Sequence, residues 1–254
     1  MRKISYKLEL LSSLIVSPRS TQALYTGIDE FCQIAKTELP IWESKEEQET
    51  KVVYPFYQYG AYTRYDPEHA EYYLPGSSIK GVLMAAQERE YDLIADDITV
   101  PNSKIVLRNL WKAQYLQDPQ KAEFAIFFNN VGVEMVKAHT KLHGDLYVET
   151  VSGFLDVIAQ ASKNAIKKMD QMYKYLQELL GKGYQNQKLL ENFERILANL
   201  NLLLNEKNIL ILGGYKGLLH SILLDQNAKE FSGGVFIDFE TFLPHGIVKI
   251  EQNI

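Results

Sequence analysis

The sequence predicts an α+β fold from three patterns along the chain. In a strand predicted over 3–16, the apolar residues Ile4, Tyr6, Leu8 and Leu10 alternate with polar residues through residue 9, which is typical of a strand buried on one side. From about residue 154 the apolar spacing changes to three and four residues, which is typical of amphipathic helices. Apolar segments at 235–239 and 246–250 then predict further strands.

The composition is that of a folded, soluble protein. The chain has 254 residues, which suits one large domain or two small ones. It is 46% hydrophobic and 23% charged, which excludes general disorder, and its single cysteine excludes a disulfide framework and fits a reducing cytoplasm. A net charge of −5 excludes a globally basic surface for nucleic acid but allows a local basic groove.

No membrane segment is expected. No uncharged run approaches the roughly 20 residues that a spanning helix needs. The alternating N-terminal pattern favours a strand over a signal peptide, so we expect a cytoplasmic protein without a membrane partner.

The first half of the chain predicts short elements. The first strand enters a turn at 17–20, and the tyrosine-rich region 52–73 is interrupted by proline and glycine, which predicts short strands and loops. Helical spacing then predicts a helix from an N-cap at Ser77 or Ser78 to about Tyr91. Further strands are predicted at about Phe124–Phe128 and Asp145–Thr150.

The second half predicts a helical hairpin. One apolar face runs from Ile166 to Leu180, and the glycines at 181 and 183 end that helix. A second apolar face runs from Leu189 to Leu203, so the two helices pack as an αα-hairpin. A short strand at 208–212 follows.

The segment Pro75–Gly81 is the first candidate site. A glycine bend that opens a helix exposes backbone N–H groups, and with Ser77, Ser78 and Lys80 it could hold a phosphate. The spacing of a P-loop is absent. The alternative is a plain helix cap with a solvated lysine.

The segment Gly213–Gly217 is the second candidate. Three glycines in five residues after a strand allow close approach of a ligand, although a tight turn is an equal explanation. His220 follows and is more typical of a packed or surface histidine than of a catalytic base.

Three weaker patterns remain. His139 and His143 have the spacing of a metal pair, but they border a turn and a strand, so no metal site is expected. The tyrosine-rich region with Arg64 could stack on unpaired bases or could form ordinary strands. A basic stripe on the first long helix could line a phosphate backbone or could be solvated; it comprises Lys163, Lys167 and Lys174.

Residues 74–83 resemble the "IPGSSLKG" motif of the RAMP superfamily, the RNA-binding subunits of CRISPR effector complexes. Other segments resemble RAMP motifs in family order, namely 94–98, 133–146, 213–217 and 244–250. Two segments depart from the family pattern. Lys137–Thr140 stands where Pro-Gly-Thr is expected, and the turn at 17–20 replaces the usual "P-x-H-I-G".

The resemblance implies a ferredoxin-like (RRM-like) RAMP core, as a single domain over 1–254 with a helical hairpin insertion at about 154–207. The helical insertion is most similar to the Csm-type subunit that caps the crRNA 3′ end in type III-A complexes. The implied function is antiviral defence as a non-catalytic crRNA-binding and assembly subunit of a type III effector complex. No cofactor or metal is implied.

The implied partners are crRNA, other RAMP subunits and, indirectly, target RNA. The residues implied to bind RNA are Arg19, Gly76, Ser77, Ser78, Lys80, Gly213, Gly214, Tyr215, Lys216 and Gly217.

Two other functions stay open at this point. In a RAMP-family endoribonuclease that processes guide RNA, His220 or Tyr215 would be the general base, and in one that cuts target RNA, Asp29 would be the metal-binding loop aspartate. A protein-interaction module without RNA contact is the third possibility, which the predicted helical hairpin alone would support.

Overall fold

A five-stranded antiparallel sheet, which we call the central sheet, joins strands from both ends of the chain. The computed structural model describes residues 1–18, 20–39, 48–87, 91–115, 122–181, 187–213, 217–224 and 233–252. These residues combine several sheets with two long helices, so the prediction of an α+β fold is confirmed. Among them, no helix is both long and apolar enough to cross a membrane.

The strands fall into a first and a second half of the chain. Those of the first half are β1 (Arg2–Leu10), β2 (Leu24–Tyr25), β3 (Glu30–Phe31), β4 (Lys36–Thr37), β5 (Gln48–Glu49), β6 (Val52–Tyr54), β7 (Arg64–Tyr65), β8 (Tyr73–Leu74), β9 (Leu93–Ala95), β10 (Ile98–Thr99), β11 (Ile105–Arg108), β12 (Trp111–Tyr115) and β13 (Ala122–Ile126). Those of the second half are β14 (Val131–Val136), β15 (Lys141–Val148), β16 (Ile209–Ile211), β17 (Gly234–Asp238), β18 (Leu243–Pro244) and β19 (Ile247–Gln252).

The α-helices are α1 (Gly76–Met84), α2 (Val151–Gly181), α3 (Gln187–Leu203) and α4 (Leu218–Ser221). Two single 3-10 turns lie at Ser20–Gln22 and Asn102–Lys104.

The central sheet has the strand order β16-β19-β1-β15-β9, and every neighbouring pair is antiparallel. The helix α1 lies in the connection from β1 to β9, and α2 lies in the connection from β15 towards β19. In β1, Leu8 faces Leu142 of β15 and Ile250 of β19, so the N-terminal strand occupies the middle of the sheet.

The alternation predicted for the first strand is confirmed by its burial. Ile4, Tyr6 and Leu8 are buried against α1 and the first turns of α2, while the residues between them face outward. On that outer face Lys3 pairs with Asp145, and Lys7 with Glu251. One face of the sheet is therefore apolar core, and the other carries paired charges.

The helical hairpin has a core of its own. The helix α2 ends at Gly181, as predicted, and packs against α3. From Ala165 onward its apolar side joins α3, β12 and β17 in a second core, whereas Phe154 and Ile158 belong to the core of the central sheet. The helix α2 thus links both cores.

In the described residues, two four-stranded sheets and three two-stranded sheets accompany the central sheet. The two-stranded sheets are β8 with β10, β3 with β7, and β4 with β5. The four-stranded sheets are the larger ones. Their orders are β11-β14-β6-β2 and β13-β12-β17-β18. The strand β14 pairs in parallel with β6 and antiparallel with β11, which brings residues 131–133 beside the tyrosine-rich region.

The helix α1 is shorter than predicted. It ends at Met84 rather than near Tyr91. The side chain of Gln87 donates to the carbonyl oxygens of Leu83 (2.9 Å) and Val157 (3.2 Å), so it binds a backbone group at the end of the helix and ties this end to α2.

Candidate nucleic-acid interface

Loops at one end of the central sheet bring together segments that are distant in sequence. The strands β1 and β16 end at this side of the sheet, where β15 and β19 begin. His139 N–H donates to the Leu10 oxygen (2.7 Å), and Gly246 N–H donates to the Ser13 oxygen (2.9 Å). We call this end the loop edge, and it comprises residues 11–16, 137–140, 212–213 and 244–246.

Gly213 lies within the loop edge and needs to be glycine. Its φ is +53°, and a Cβ there would overlap the carbonyl oxygen of Ile15. The close approach inferred from the sequence is therefore present, but it is made to the protein's own backbone. Gly217 stands at the N-cap of α4, while Gly214, Tyr215, Lys216 and Arg19 lie outside the described residues.

The Pro75–Gly81 segment begins α1, but its cap differs from the predicted one. The N-cap is Pro75, so the expected serine cap at Ser77 or Ser78 is wrong. The Asp97 carboxylate accepts the Gly76 N–H instead (2.7 Å). One N–H of the predicted phosphate site is thus already bound by a carboxylate.

Some residues of this segment are packed against β9, and others are exposed to solvent. A Cβ at Gly76 would overlap the carbonyl oxygen of Ala95, so glycine is needed here for α1 to pack on β9. Ser77 and Lys80 are exposed, and Ser78 is half-buried. Ser77 and Lys80 are therefore the groups that remain accessible to a phosphate.

The structure does not bring the two glycine segments together. Asp96 N–H, which follows β9, donates to the Asp145 oxygen, and Asp145 faces Ser5 of β1. Ser5 precedes the end of β1 at Leu10 by five residues, or about 16 Å of strand. The strands β9 and β16 also form the two opposite edges of the five-stranded sheet, about 19 Å apart.

Three tyrosines occupy the region between these segments. The rings of Tyr59 and Tyr73 stack with centroids 4.3 Å apart and an interplanar angle of 16°, and Tyr57 lies 5.7 Å from Tyr73. Tyr57 N–H donates to Val16 of the loop edge (3.3 Å). Tyr73 lies two residues before Pro75 in the sequence. We call Tyr57, Tyr59 and Tyr73 the tyrosine cluster.

A buried carboxyl holds the backbone beneath this cluster. Glu134 of β14 accepts the Phe56 N–H (2.9 Å) and the Tyr72 hydroxyl (2.6 Å). Burial raises the pKa of Glu134 to about 7, against these two hydrogen bonds. Since successive side chains of an extended chain point to opposite sides, the inward Phe56 and Tyr72 leave their neighbours Tyr57 and Tyr73 at the surface.

Glu134 lies in the segment 133–146 that resembles a RAMP motif, but its role was not predicted from the sequence. A single acidic residue in the apolar run 131–136 was the available signal, because a buried carboxyl needs hydrogen-bond partners. Its partners could not be inferred, since Tyr72 lies 62 residues earlier in the chain and Phe56 lies 78 residues earlier.

Arg64 lies beside the tyrosine cluster, but carboxylates hold its charge. It lines the same cavity as Tyr59. Its guanidinium contacts Asp66 (2.9 Å) and Glu30 (3.6 Å), and its Nε donates to the Cys32 sulfur (2.8 Å). The structure therefore brings Arg64 and Tyr59 together, and their role in stacking stays a prediction.

The candidate catalytic residues His220 and Asp29 lie in positions that suit a structural role. His220 is buried in α4, and burial together with His245 and Lys168 lowers its pKa to about 3. Neither ring nitrogen has a hydrogen-bond partner among the residues that the structure describes. The Asp29 carboxylate accepts the Tyr25 N–H (2.7 Å) across a turn.

The weaker sequence patterns are also placed. His139 has a positive φ of 60° in the turn before β15, and His143 lies on that strand, so the two do not share a helix face. Within the described parts of the chain, no three His, Cys, Asp or Glu side chains are grouped so that they could hold a metal ion. Lys163, Lys167 and Lys174 are exposed on α2, as expected, and Lys174 pairs with Asp170 (2.7 Å).

A cavity that the sequence did not predict adjoins the loop edge. It has a volume of about 320 Å³, and its wall includes Arg108, Asp238 and His245. Arg108 contacts Glu240 (2.7 Å) and Glu38 (3.2 Å), which also line it. Three carboxylates against one guanidinium make this cavity unsuited to a phosphate.

The same cluster fixes the loop edge. Asp238 accepts the Ser13 N–H (2.8 Å), and the Ser13 hydroxyl lies 2.8 Å from His245 Nδ1. All three residues are buried, so these bonds hold the segments after β1 and before β19 in one arrangement.

Comparison with solved structures gives a weak structural likeness. No protein-family model matches the chain, and no curated protein matches it. Among solved structures it is similar to a chain in the cryo-EM structure of a Csm–crRNA–target RNA ternary complex of a type III-A CRISPR-Cas system. The TM-score is 0.35 and the identity 13%, over 66% of this chain and 49% of that chain. This protein therefore matches about half of that chain's length.

Proposed function

We propose that this protein is a non-catalytic crRNA-binding and assembly subunit of a type III, Csm-like CRISPR effector complex. The observation that carries the proposal is the loop edge. There residues 212–213 contact residues 246 and 15, and residues 139 and 246 bond to the stretch 10–13 at the end of β1. The three segments 137–140, 212–213 and 244–246 overlap stretches that resemble RAMP motifs. A shared RNA-binding role explains why segments so distant in sequence resemble the family and lie together.

The strand order supports the same family. The order β19-β1-β15-β9, with α1 and α2 in the two crossover connections, is the order expected of a ferredoxin-like βαββαβ core and so supports this part of the proposal. We propose that residues 1–254 form a single RAMP domain around this core. The helical hairpin with its second core is then the family's helical insertion.

The chemistry suits contact with an RNA backbone. Ser77 and Lys80 are exposed at the first turns of α1, where a hydroxyl and an ammonium can contact phosphate. Base pairing by the guide would supply sequence specificity, so the protein needs no base code. The net charge of −5 fits a subunit that meets RNA on one side and proteins on others.

The absence of catalysis is part of the proposal. A general base works best with a pKa near the operating pH, and burial lowers the pKa of His220 to about 3. Asp29 binds a backbone N–H of its own turn. The competing nuclease hypothesis predicts RNA cleavage that disappears in His220→Ala, Tyr215→Phe or Asp29→Ala.

The test is RNA binding by the full chain as a function of salt. We expect Lys80→Ala to weaken binding of a single-stranded guide RNA and to reduce the salt slope by up to about 0.7, the contribution of one phosphate contact on a single strand. Lys174→Ala is the matched control, because that lysine is also exposed but pairs with Asp170 on the hairpin.

Two results would reject the proposal. Wild-type protein that binds no guide RNA would favour a protein-interaction module. Specific cleavage of guide-precursor or target RNA, assayed with Mg²⁺ and with EDTA, would favour the nuclease.

A further inference from the structure

We infer that the tyrosine cluster is a stacking surface for unpaired bases of the bound RNA. This inference rests on the proposed function and adds to it a contact with the bases. Every base has an aromatic face, so stacking tolerates any sequence, as a guide-binding subunit requires.

The cluster presents an accessible ring. Tyr59 is 56% exposed, while Tyr57 and Tyr73 are half-buried. Tyr59 stacks on Tyr73 at 4.3 Å, which fixes its plane, and it lines a surface cavity. A base placed against the exposed part of Tyr59 would extend a stack that the protein already begins.

The tyrosine cluster adjoins both the loop edge and the start of α1, each of which includes residues from segments that resemble RAMP motifs. On one side, Tyr57 bonds to Val16, whose neighbour Ile15 contacts Gly213. On the other side, Tyr73 lies two residues before Pro75, at the start of α1. An RNA strand that reaches from the loop edge to the start of α1 can therefore contact the tyrosine cluster.

The cluster is also held in place. Tyr73 N–H donates to the Tyr57 oxygen (3.0 Å), and Glu134 binds the residues that precede both tyrosines. A surface fixed before binding loses little conformational entropy when a ligand arrives. This arrangement favours a ligand-binding role over incidental surface aromatics.

The charged groups beside the cluster give RNA no electrostatic attraction, which separates stacking from phosphate contact. Arg64 lies against the carboxylates of Asp66 and Glu30, and Glu71 also borders the cluster. Binding at the tyrosine cluster should therefore depend little on salt, unlike binding at Lys80.

The experiment uses the full chain and a single-stranded guide RNA that carries the fluorescent base 2-aminopurine at successive positions. We expect Tyr59→Ala to weaken binding on the order of tenfold, with an unchanged salt slope, and to abolish the stacking signal at one position. Tyr59→Phe should bind as the wild type does, because stacking needs the ring and not the hydroxyl. Tyr25→Ala is the control, since that tyrosine is 43% exposed on β2.

The outcomes separate this inference from the proposed function. If the wild type binds RNA and Lys80→Ala weakens binding, but Tyr59→Ala and Tyr73→Ala bind as the wild type does, the stacking surface is rejected alone. If those tyrosine variants bind RNA normally but lose association with a neighbouring subunit, the surface contacts protein. If the wild type binds no RNA, both proposals fail. Thermal unfolding of each variant shows that a loss of binding is not a loss of folding.

Discussion

Two aromatic clusters in this protein share a geometry but differ in surroundings. In the tyrosine cluster, Tyr59 and Tyr73 stack at 16°, and Tyr59 is 56% exposed. In the core between the hairpin and β12, Phe124 and Phe239 stack at a similar 19°, and each is at most 9% exposed. We call the second group the phenylalanine cluster; it comprises Trp111, Phe124, Phe239 and Phe242.

The difference shows that ring stacking alone does not indicate function. The phenylalanine cluster removes apolar surface from water and so stabilises the fold. In the tyrosine cluster, Tyr59 keeps more than half of its surface in solvent, so its contribution to stability is small. Substitutions in the two clusters should therefore change different quantities. In the phenylalanine cluster they should lower stability, and in the tyrosine cluster they should weaken RNA binding.

The largest effect is expected at the phenylalanine cluster. Phe239→Ala should lower the free energy of unfolding by about 3–5 kcal/mol, because it leaves a cavity among Trp111, Phe124 and Phe242. Denaturant titration measures the change, and RNA affinity of the remaining folded protein should be unaltered. A loss below about 1 kcal/mol would show that this core repacks easily.

The next effect concerns the carboxyl beneath the tyrosine cluster. The folded-state pKa of Glu134, about 7, lies above its value in an unfolded chain, about 4.5. Between these pH values the folded state holds a proton that the unfolded state has released. Stability from this group should therefore fall as pH rises from about 4.5 to about 7, by up to about 3 kcal/mol.

The measurement is the free energy of unfolding against pH for wild type and Glu134→Gln. The glutamine cannot titrate, so the difference between the two curves isolates Glu134 from His220, whose lowered pKa gives a slope of the opposite sign. A difference that stays constant from pH 4.5 to pH 7 would contradict the assignment.

The smallest effect on stability is expected at Tyr59. Tyr59→Ala should change the free energy of unfolding by no more than about 0.5 kcal/mol, because most of the ring is already in water. Differential scanning calorimetry provides the comparison with Phe239→Ala. A large loss at Tyr59 would make the tyrosine cluster a structural element like the phenylalanine cluster.

Regular elements were the part of this fold that the sequence predicted best. The alternation of Ile4, Tyr6 and Leu8 and the apolar faces of α2 and α3 are local patterns that burial imposes directly. The end of α2 at Gly181 was likewise marked by the glycine. The end of α1 was not predicted, because it depends on how the Gln87 side chain bonds to α2.

The candidate site was also predicted only in part, because its contacts are made with residues that are distant in sequence. Gly76 and Gly213 were correctly selected as special positions, but what each approaches is a distant backbone, Ala95 or Ile15. The helix cap comes from Asp97, which lies 21 residues after Gly76, and no spacing rule connects the two. The role of Glu134 could not be predicted, because its two partners lie 62 and 78 residues earlier in the chain.

The central place of β1 has a consequence for the kinetics of folding. Its two neighbours are residues 141–148 and 247–252. Both strands that pair with β1 are therefore synthesised long after β1 itself. Such non-local pairings slow folding, since long loops must close before any contact forms. During translation the apolar face and open edges of β1 are therefore exposed to wrong partners, and a nascent chain of this protein is a natural client for chaperones.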